Sequence, residues 1–328
     1  MNRLQRQRGV AVITALLLTT LAITIVASLF WAQQVQVRSM ENQRLHLQTK
    51  WILRGALDWA GLVLRQDGAD NPTYTALTHV WATPLAETRL DQYIERERVQ
   101  GEVFDATLSG NIIDATSRYN LANLAQNRTV DQAQLGIYKQ LLTNLRLDPN
   151  LALRTAQAVA RAQVIQPNAV PPPGGGQGTG TPAAAPIPVS ATEAPVRMMQ
   201  VDDLLAIPGY TLEVVNRLRE FVIVLPERTM VNVNTAPPEV LAAVVQNLSM
   251  GAASSLVARR KNVPWRDIGI FTTEVAPAIV LPDTVGVRSD YFLIHSRIRL
   301  DRAALDAEAL INRPGGQPKT TLEWVRQN

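Results

Sequence analysis

The sequence contains no cysteine, which excludes disulfide bonds and cysteine-ligated metals. Aromatic residues make up only 5% of the 328 residues, and the three histidines, His46, His79 and His295, match no metal-ligand spacing. There is no Gly-x-Ser-x-Gly motif and no phosphate-binding loop, and the glycine run at 174–176 follows no predicted strand. We therefore predict no catalytic, cofactor or metal site, and a chain that is not an enzyme.

The chain has little net charge outside its first nine residues. Its formal charge is +4, and Arg3, Arg6 and Arg8 supply +3 of this without any acidic residue beside them. The remaining chain carries only +1. Because binding to nucleic acid depends mainly on cationic side chains that meet phosphates, the near-neutral body does not favour a nucleic-acid partner.

An uncharged run of 23 residues extends from Val10 to Ala32. About 20 apolar residues are enough to cross a bilayer, whereas the apolar part of a secretory signal peptide has about 7–15. The run therefore predicts a transmembrane helix, with an oversized cleaved signal peptide as the alternative. The arginines before it predict a cytoplasmic N-terminus and a body on the far side of the membrane, which the chain crosses once.

The helix is expected to continue beyond the membrane, because neither glycine nor proline occurs between Val10 and Arg54. After residue 32 the apolar residues alternate with polar ones. These apolar residues are Val37, Met40, Leu47, Trp51, Leu53, Leu57, Ala60, Val63 and Leu64. The pattern predicts one helix over 10–66, with a transmembrane half (10–32) and a one-faced periplasmic half (33–66) that packs against a globular head.

The short basic leader followed by Gly9 and an apolar helix resembles the signature of type IV prepilins. The resemblance implies a leader of residues 1–9 that a prepilin peptidase cleaves after Gly9, and N-methylation of Val10. Most pilins have glutamate at the fifth mature position, where this chain has Thr14. That departure resembles the tip subunit of the type II secretion pseudopilins, the general secretion pathway protein K family.

The next region, 67–125, is predicted to be the first part of a pilin-like unit. Weak alternation over 95–115, broken at Ser109-Gly110-Asn111, favours a β-hairpin. The following stretch, DATSRYNLANL, resembles a recurrent motif of the same family. Its matching residues include Asp114, Arg118, Asn120 and Asn123. We interpret them as a structural corner in which asparagine side chains bind turn amides.

Residues 126–280 are predicted to form an inserted α-helical domain. Two helices are expected over 130–163, separated at Asp148-Pro149. The uncharged segment rich in Pro, Gly and Ala at 163–195 is predicted to be a disordered loop. The resemblance places acidic calcium ligands in this zone, but the chain lacks that acidic stretch. Calcium therefore stays a possibility implied only by the resemblance.

The second half of the insert has the outline of a helix-hairpin-helix around Ile207-Pro208-Gly209. The run Val-Asn-Val-Asn-Thr-Ala that follows it resembles the same family closely. It contains Asn232, Asn234 and Thr235, and we expect a second helix from there to about Arg260. Helix-hairpin-helix units often bind DNA, which leaves a membrane-tethered DNA-binding protein as an alternative. Its basic patch would be Arg259, Arg260, Lys261 and Arg266.

Strands are expected again over 281–328, because apolar residues alternate over 291–300 and 305–311, and Leu322 and Trp324 favour a short last strand. The predicted fold class is α+β: a pilin-like fold with a long N-terminal transmembrane helix, an antiparallel sheet and a large inserted all-α domain. The resemblance implies a minor pseudopilin that is anchored in the inner membrane, has its body in the periplasm and caps the type II secretion pseudopilus. Its implied partners are the other minor pseudopilins, the major pseudopilin and the prepilin peptidase. A minor pilin of a type IV pilus is the alternative.

Overall fold

The computed structural model describes residues 8–90, 106–163, 197–315 and 319–327. The α-helices in chain order are α1 (Arg8–Asp70), α2 (Gln132–Asn144), α3 (Leu151–Ala162), α4 (Leu212–Leu218), α5 (Pro238–Val244), α6 (Met250–Arg260) and α7 (Ile268–Val275). The strands are β1 (Leu85–Arg89), β2 (Ala106–Asp114), β3 (Tyr119–Asn120), β4 (Ala125–Gln126), β5 (Thr129–Val130), β6 (Val222–Ile223), β7 (Val231–Asn232), β8 (Val245–Gln246), β9 (Ile279–Val280), β10 (Val285–Gly286), β11 (Tyr291–Leu300), β12 (Ala303–Asn312) and β13 (Thr321–Gln327).

Helix α1 is the longest element, with 63 residues and a length of about 95 Å. It extends beyond both ends of the predicted range 10–66. It is long and apolar enough to cross a membrane, and the most hydrophobic part of it is not buried by the rest of the chain. The chain therefore has a single N-terminal membrane-anchor helix within the described residues.

Five strands form the main sheet in the order β1-β2-β11-β12-β13, with every neighbouring pair antiparallel. The two strands expected over 291–300 and 305–311 are confirmed as β11 and β12, with the turn at Asp301-Arg302. The last strand is confirmed as β13.

The predicted break at Ser109-Gly110-Asn111 is wrong, because β2 runs through it without interruption. Gly110 lies opposite Ser296 in the centre of the sheet, where a Cβ would lie 2.4 Å from the carbonyl oxygen of His295. The glycine therefore serves a close approach between strands rather than a turn. Strand β2 pairs with β1 on its other side, and residues 95–105 of the predicted hairpin lie outside the described residues.

Helix α1 packs its C-terminal part across one face of the sheet. Leu53, Leu57, Ala60 and Leu64 form a buried cluster with Trp81 and the inward-facing residues of β11 and β12. The sheet side of this cluster consists of Phe292, Ile294, Ile298, Leu305, Ala307, Ala309 and Ile311. These are the alternating residues of the two predicted strands, so the periodicity of two identifies the buried face correctly.

The insert between β2 and β11 has its own, larger hydrophobic core, which extends from Tyr119 to Val285. It therefore begins before and ends after the predicted limits 126 and 280. Six helices, α2 to α7, supply most of it, and the split at Asp148-Pro149 is confirmed between α2 and α3. Four two-residue ladders, β3–β6, β4–β5, β7–β10 and β8–β9, join its loops. The α+β class of the whole chain is confirmed.

Two details of the insert differ from the prediction. The single helix expected up to Arg260 is two helices, because Val245 leaves α5 to pair with Val280 in the β8–β9 ladder. The first arm of the predicted hairpin is a 3₁₀ helix, Val201–Ala206, and α4 is the second arm. Between them Gly209 has a φ of +103°, a left-handed conformation that favours glycine. The predicted loop 163–195 lies, except for its first residue, outside the described residues.

Candidate functional site

A buried carboxylate, Asp114, lies at the end of β2 where the sheet meets the insert. Its Oδ1 accepts from the amide and the hydroxyl of Thr116, both at 2.8 Å. Its Oδ2 accepts from Asn232 Nδ2 at 2.9 Å, Thr235 Oγ1 at 2.5 Å and Ser289 Oγ at 2.5 Å. With five donors around a residue that is only 1% exposed, the carboxylate is fully paired without any external ligand.

Asn232 connects this carboxylate to the backbone on both sides of the junction. Its Nδ2 also donates to the carbonyl of Thr75 at 3.1 Å, and its Oδ1 accepts from the amide of Asn234 at 3.0 Å. Asn234 in turn pairs with the backbone of Trp265 through both ends of its amide, each at 2.8 Å. The predicted motif residues Asp114, Asn232, Asn234 and Thr235 therefore form one connected network.

Asn120 and Asn123 form a second group, which fixes the segment before β7. Asn120 donates to the carbonyl of Glu227 at 2.7 Å and accepts from the amides of Ala122 and Leu225, both at 3.1 Å. Asn123 pairs with the backbone of Thr229 through its Oδ1 and its Nδ2. Both side chains are buried and satisfied, and their contacts match the structural corner that we expected.

Arg118 does not join the network of Asp114. Burial lowers the pKa of Arg118, whereas nearby Glu308 and Glu220 raise it. His295 lies in the same environment, and its pKa is lowered by burial and by Arg118 and is raised by Glu308. The structure thus separates Arg118 from the other motif residues.

An ion-paired group at the C-terminal end of α1 was not singled out from the sequence. Arg313 is buried and donates to Asp67 at 2.7 Å, to the carbonyl of Leu64 at 3.0 Å and to Thr75 Oγ1 at 3.2 Å. Asp67 Oδ1 also lies 2.9 Å from His79 Nδ1. The group ties α1, the loop after it and the end of β12 together. Arg313 is 246 residues from Asp67, a separation at which sequence pattern carries no signal.

These contacts hold α1, the main sheet and the insert together. The polar side chains around Asp114 donate their hydrogen bonds to its carboxylate within the junction. Within the described residues no group of three or more His, Asp or Glu side chains is placed to hold a metal. The zone where the resemblance puts calcium ligands falls largely within 164–196, which lies outside those residues.

The basic patch considered for DNA is not a continuous surface. Arg260 is 5% exposed, donates to the carbonyl of Val233 at 2.6 Å and has a pKa that burial lowers to about 10, although Asp114 raises it. Arg259 is paired with Glu274, and Arg266 lies over the ring of Tyr74. A buried guanidinium cannot meet a phosphate, so the predicted patch is broken at its centre.

The half of α1 that follows the uncharged run has two apolar faces, which corrects the prediction of a single one. Leu53 is buried against the sheet as expected, but other residues assigned to the same face are exposed. Those exposed residues are Val37, Met40, Leu47 and Trp51, and two further residues that were not assigned to it, Trp59 and Leu62, are exposed as well. At about 100° per residue they share a stripe about 120° wide on the side opposite the buried face. We call these six residues the outward stripe.

The residues predicted for processing lie at the start of α1, which begins at Arg8 and so includes Gly9 and Val10. Thr14 lies in the first part of the apolar run, and its Oγ1 donates to the carbonyl of Ala11 at 3.0 Å. This local bond satisfies the hydroxyl within the helix. Because threonine has no carboxyl group, the position carries no charge.

Comparison with known families assigns two parts of the chain. Two models of the family described as type II secretion system (T2SS), protein K match residues 117–227 and 231–287, and together cover just over half of the chain. The first match begins within the stretch that forms the structural corner, and the second begins at the first residue of β7.

Relatives of similar length are found among proteins named type II secretion system protein K. The protein of Pectobacterium carotovorum is 25% identical over 327 residues, which is 94% of each chain. That of Klebsiella pneumoniae is 24% identical over 98% of each chain. That of Pseudomonas aeruginosa is 28% identical over 90% of this chain and 85% of its own.

A solved structure shows the same fold. One chain of the crystal structure of the GspK-GspI-GspJ complex from enterotoxigenic Escherichia coli matches with a TM-score of 0.63 and 18% identity. The match covers 88% of this chain and 99% of that chain.

Proposed function

We propose that this chain, which belongs to the type II secretion system protein K family, is the minor pseudopilin that caps the pseudopilus and so supports protein export across the outer membrane. The outward stripe carries this proposal. It continues the line of the membrane anchor, yet it faces away from the chain's own core. An apolar stripe of this kind is expected to pack against another helix.

Other minor pseudopilins are the proposed partners. The similar solved structure is a complex that contains GspI and GspJ. A neighbouring helix that emerges from the same membrane would contact the outward stripe along its whole length, from Val37 to Leu62. We extend the proposal to the major pseudopilin below the tip, and to an orientation with a cytoplasmic N-terminus and a periplasmic head.

We propose that the insert prevents the addition of a further subunit at the tip of the pseudopilus. Its junction with the sheet lies beside Leu64 and Asp67, at the membrane-distal end of α1. A third cluster, in which Ile223 and Leu225 pack on Tyr291 and Leu293, covers the opposite face of the sheet near the same end. A unit fixed there would occupy the position that a subunit added above would need.

We also propose that the chain is processed as a prepilin, with cleavage after Gly9 and N-methylation of Val10. Thr14 fits a tip position, since a subunit with no neighbour above has no N-terminal amine for a glutamate to pair with. The intact mass of the membrane-extracted protein should correspond to N-methylated Val10 only in cells that have the prepilin peptidase. A mass that begins at Met1 in both strains would contradict this step.

The assembly proposal is tested by adding a charge to the outward stripe. Leu62→Glu or Trp51→Glu should reduce co-purification of the minor pseudopilins encoded beside this gene by at least about tenfold, because a carboxylate would be buried without a partner. Ser39→Glu adds the same charge to an exposed position of α1, about 140° around the helix from the middle of the stripe, and should leave co-purification unchanged. Equal recovery with all three variants would contradict the proposal.

Two alternatives are less well supported. A minor pilin of a type IV pilus would share the anchor and the fold, but the family models favour the type II system. A DNA-binding role would need the basic patch, and Arg260 within it is buried.

A further inference from the structure

Gly55 lies in the middle of α1 on the side of the outward stripe. Glycine is the least favourable residue in a helix interior after proline. Packing within the chain does not require it, since a Cβ at this position would meet nothing within 4 Å. No contact within the described residues therefore explains why glycine occupies this position, and a contact with another protein would explain it.

Two exposed tryptophans flank this glycine, one helical turn on either side. Trp51 is 70% exposed and Trp59 is 50% exposed. Residues four apart on a helix lie on the same face, so the two tryptophans stand on either side of the bare backbone at Gly55. Their Cα atoms are about 12 Å apart along the axis, which leaves room for one large side chain between these two positions. We call this gap the Gly55 notch.

The surroundings of the notch indicate what fills it. It lies on the line of the uncharged run from Val10 to Ala32, so a partner that follows α1 towards the membrane must itself be apolar at that depth. Lys50, Arg54 and Asp58 are exposed near the notch, so the charges around it are mixed. A helix that presents one large apolar side chain at this height complements the open space above Gly55.

We infer that the Gly55 notch receives one large apolar side chain from a parallel, membrane-anchored helix of a neighbouring minor pseudopilin, and that it sets the register between the two helices. This inference rests on the proposed function, because it specifies one contact of the outward stripe. Without a side chain at residue 55, the backbone of α1 can be approached closely, as small residues allow at other helix–helix contacts.

The test compares variants of the full-length chain in detergent, with the purified minor pseudopilins encoded beside this gene as the probe. Gly55→Leu fills the notch and should weaken binding by at least about tenfold, whereas Gly55→Ala should change it by less than about threefold. Gly136→Leu is the matched control. Gly136 lies in α2, a Cβ there also meets nothing within 4 Å, and no large exposed hydrophobic residue flanks it.

The outcomes separate the inference from the function on which it rests. Weak binding by Gly55→Leu alone, with an unfolding temperature no lower than that of Gly136→Leu, is the expected result. Normal binding by Gly55→Leu together with loss of binding by Leu62→Glu would overturn the notch but keep the stripe. Normal binding by both variants would overturn the stripe as well.

Discussion

At the residue scale, Asp114 is the side chain on which the junction depends most. Its carboxylate accepts from residues of the corner, the insert and the strand entry, and it is buried. An amide in its place has only one acceptor oxygen, so at least one of the buried donors loses its partner. A buried polar group without a partner costs about 1–3 kcal/mol.

We therefore expect Asp114→Asn to lower the free energy of unfolding of the full-length chain by about 3 kcal/mol, since two or three hydrogen bonds to one buried carboxylate oxygen are lost together. Chemical denaturation followed by tryptophan fluorescence measures this. Asp306→Asn, which removes a carboxylate paired with Arg297 on the exposed face of the sheet, is the control and should have little effect. Equal unfolding curves for the two variants would show that the network does not hold the junction.

Some buried side-chain contacts of the junction could be predicted from the sequence, and others could not. Asp114, Asn232 and Thr235 were singled out through their motifs, and in the structure they share one hydrogen-bond network. Arg313, Asp67 and Thr75 were not found, because their contacts join segments that are far apart in sequence. A buried arginine has no local pattern that separates it from an exposed one. Only the fold shows that Arg313 is paired.

At the scale of elements, periodicity was reliable where one face of an element meets the core. The alternation in β11 and β12 identified both strands and their buried sides. It failed at Gly110, where a glycine that permits close strand contact looks the same in sequence as a glycine in a turn. It failed also at Val245, which leaves a helical pattern to pair with a distant strand. In both places a tertiary contact overrides the local preference.

The two apolar faces of helix α1 could not be told apart from the sequence. Its apolar residues predicted a helix, and the helix is there, but the pattern did not separate residues that face the chain's own core from residues that face outwards. Leu53 and Trp51 are only two positions apart and lie on opposite sides. An amphipathic helix with a second apolar face is a sign of a partner, which becomes visible only when the first face has been assigned.

At the scale of the whole molecule, the chain combines an anchor, a spine and a bulky head. The spine and the sheet share one hydrophobic core, and the insert has another. The buried network around Asp114 and Arg313 joins them at the end of α1 that is distant from the membrane. This arrangement leaves the outward stripe free along the spine while the head occupies the far end, which is the shape that a capping subunit needs.

The central claim is that the outward stripe contacts other minor pseudopilins, and disulfide cross-linking in cells tests it most directly. The chain has no cysteine, so each variant would carry a single thiol. Leu47→Cys and Leu62→Cys should form disulfide-linked heterodimers with a neighbouring minor pseudopilin that carries one cysteine at the same height of its own helix. Ser39→Cys, at an exposed position about 140° around α1 from the middle of the stripe, should not. Equal cross-linking from Ser39→Cys, or none from the stripe positions, would contradict the account.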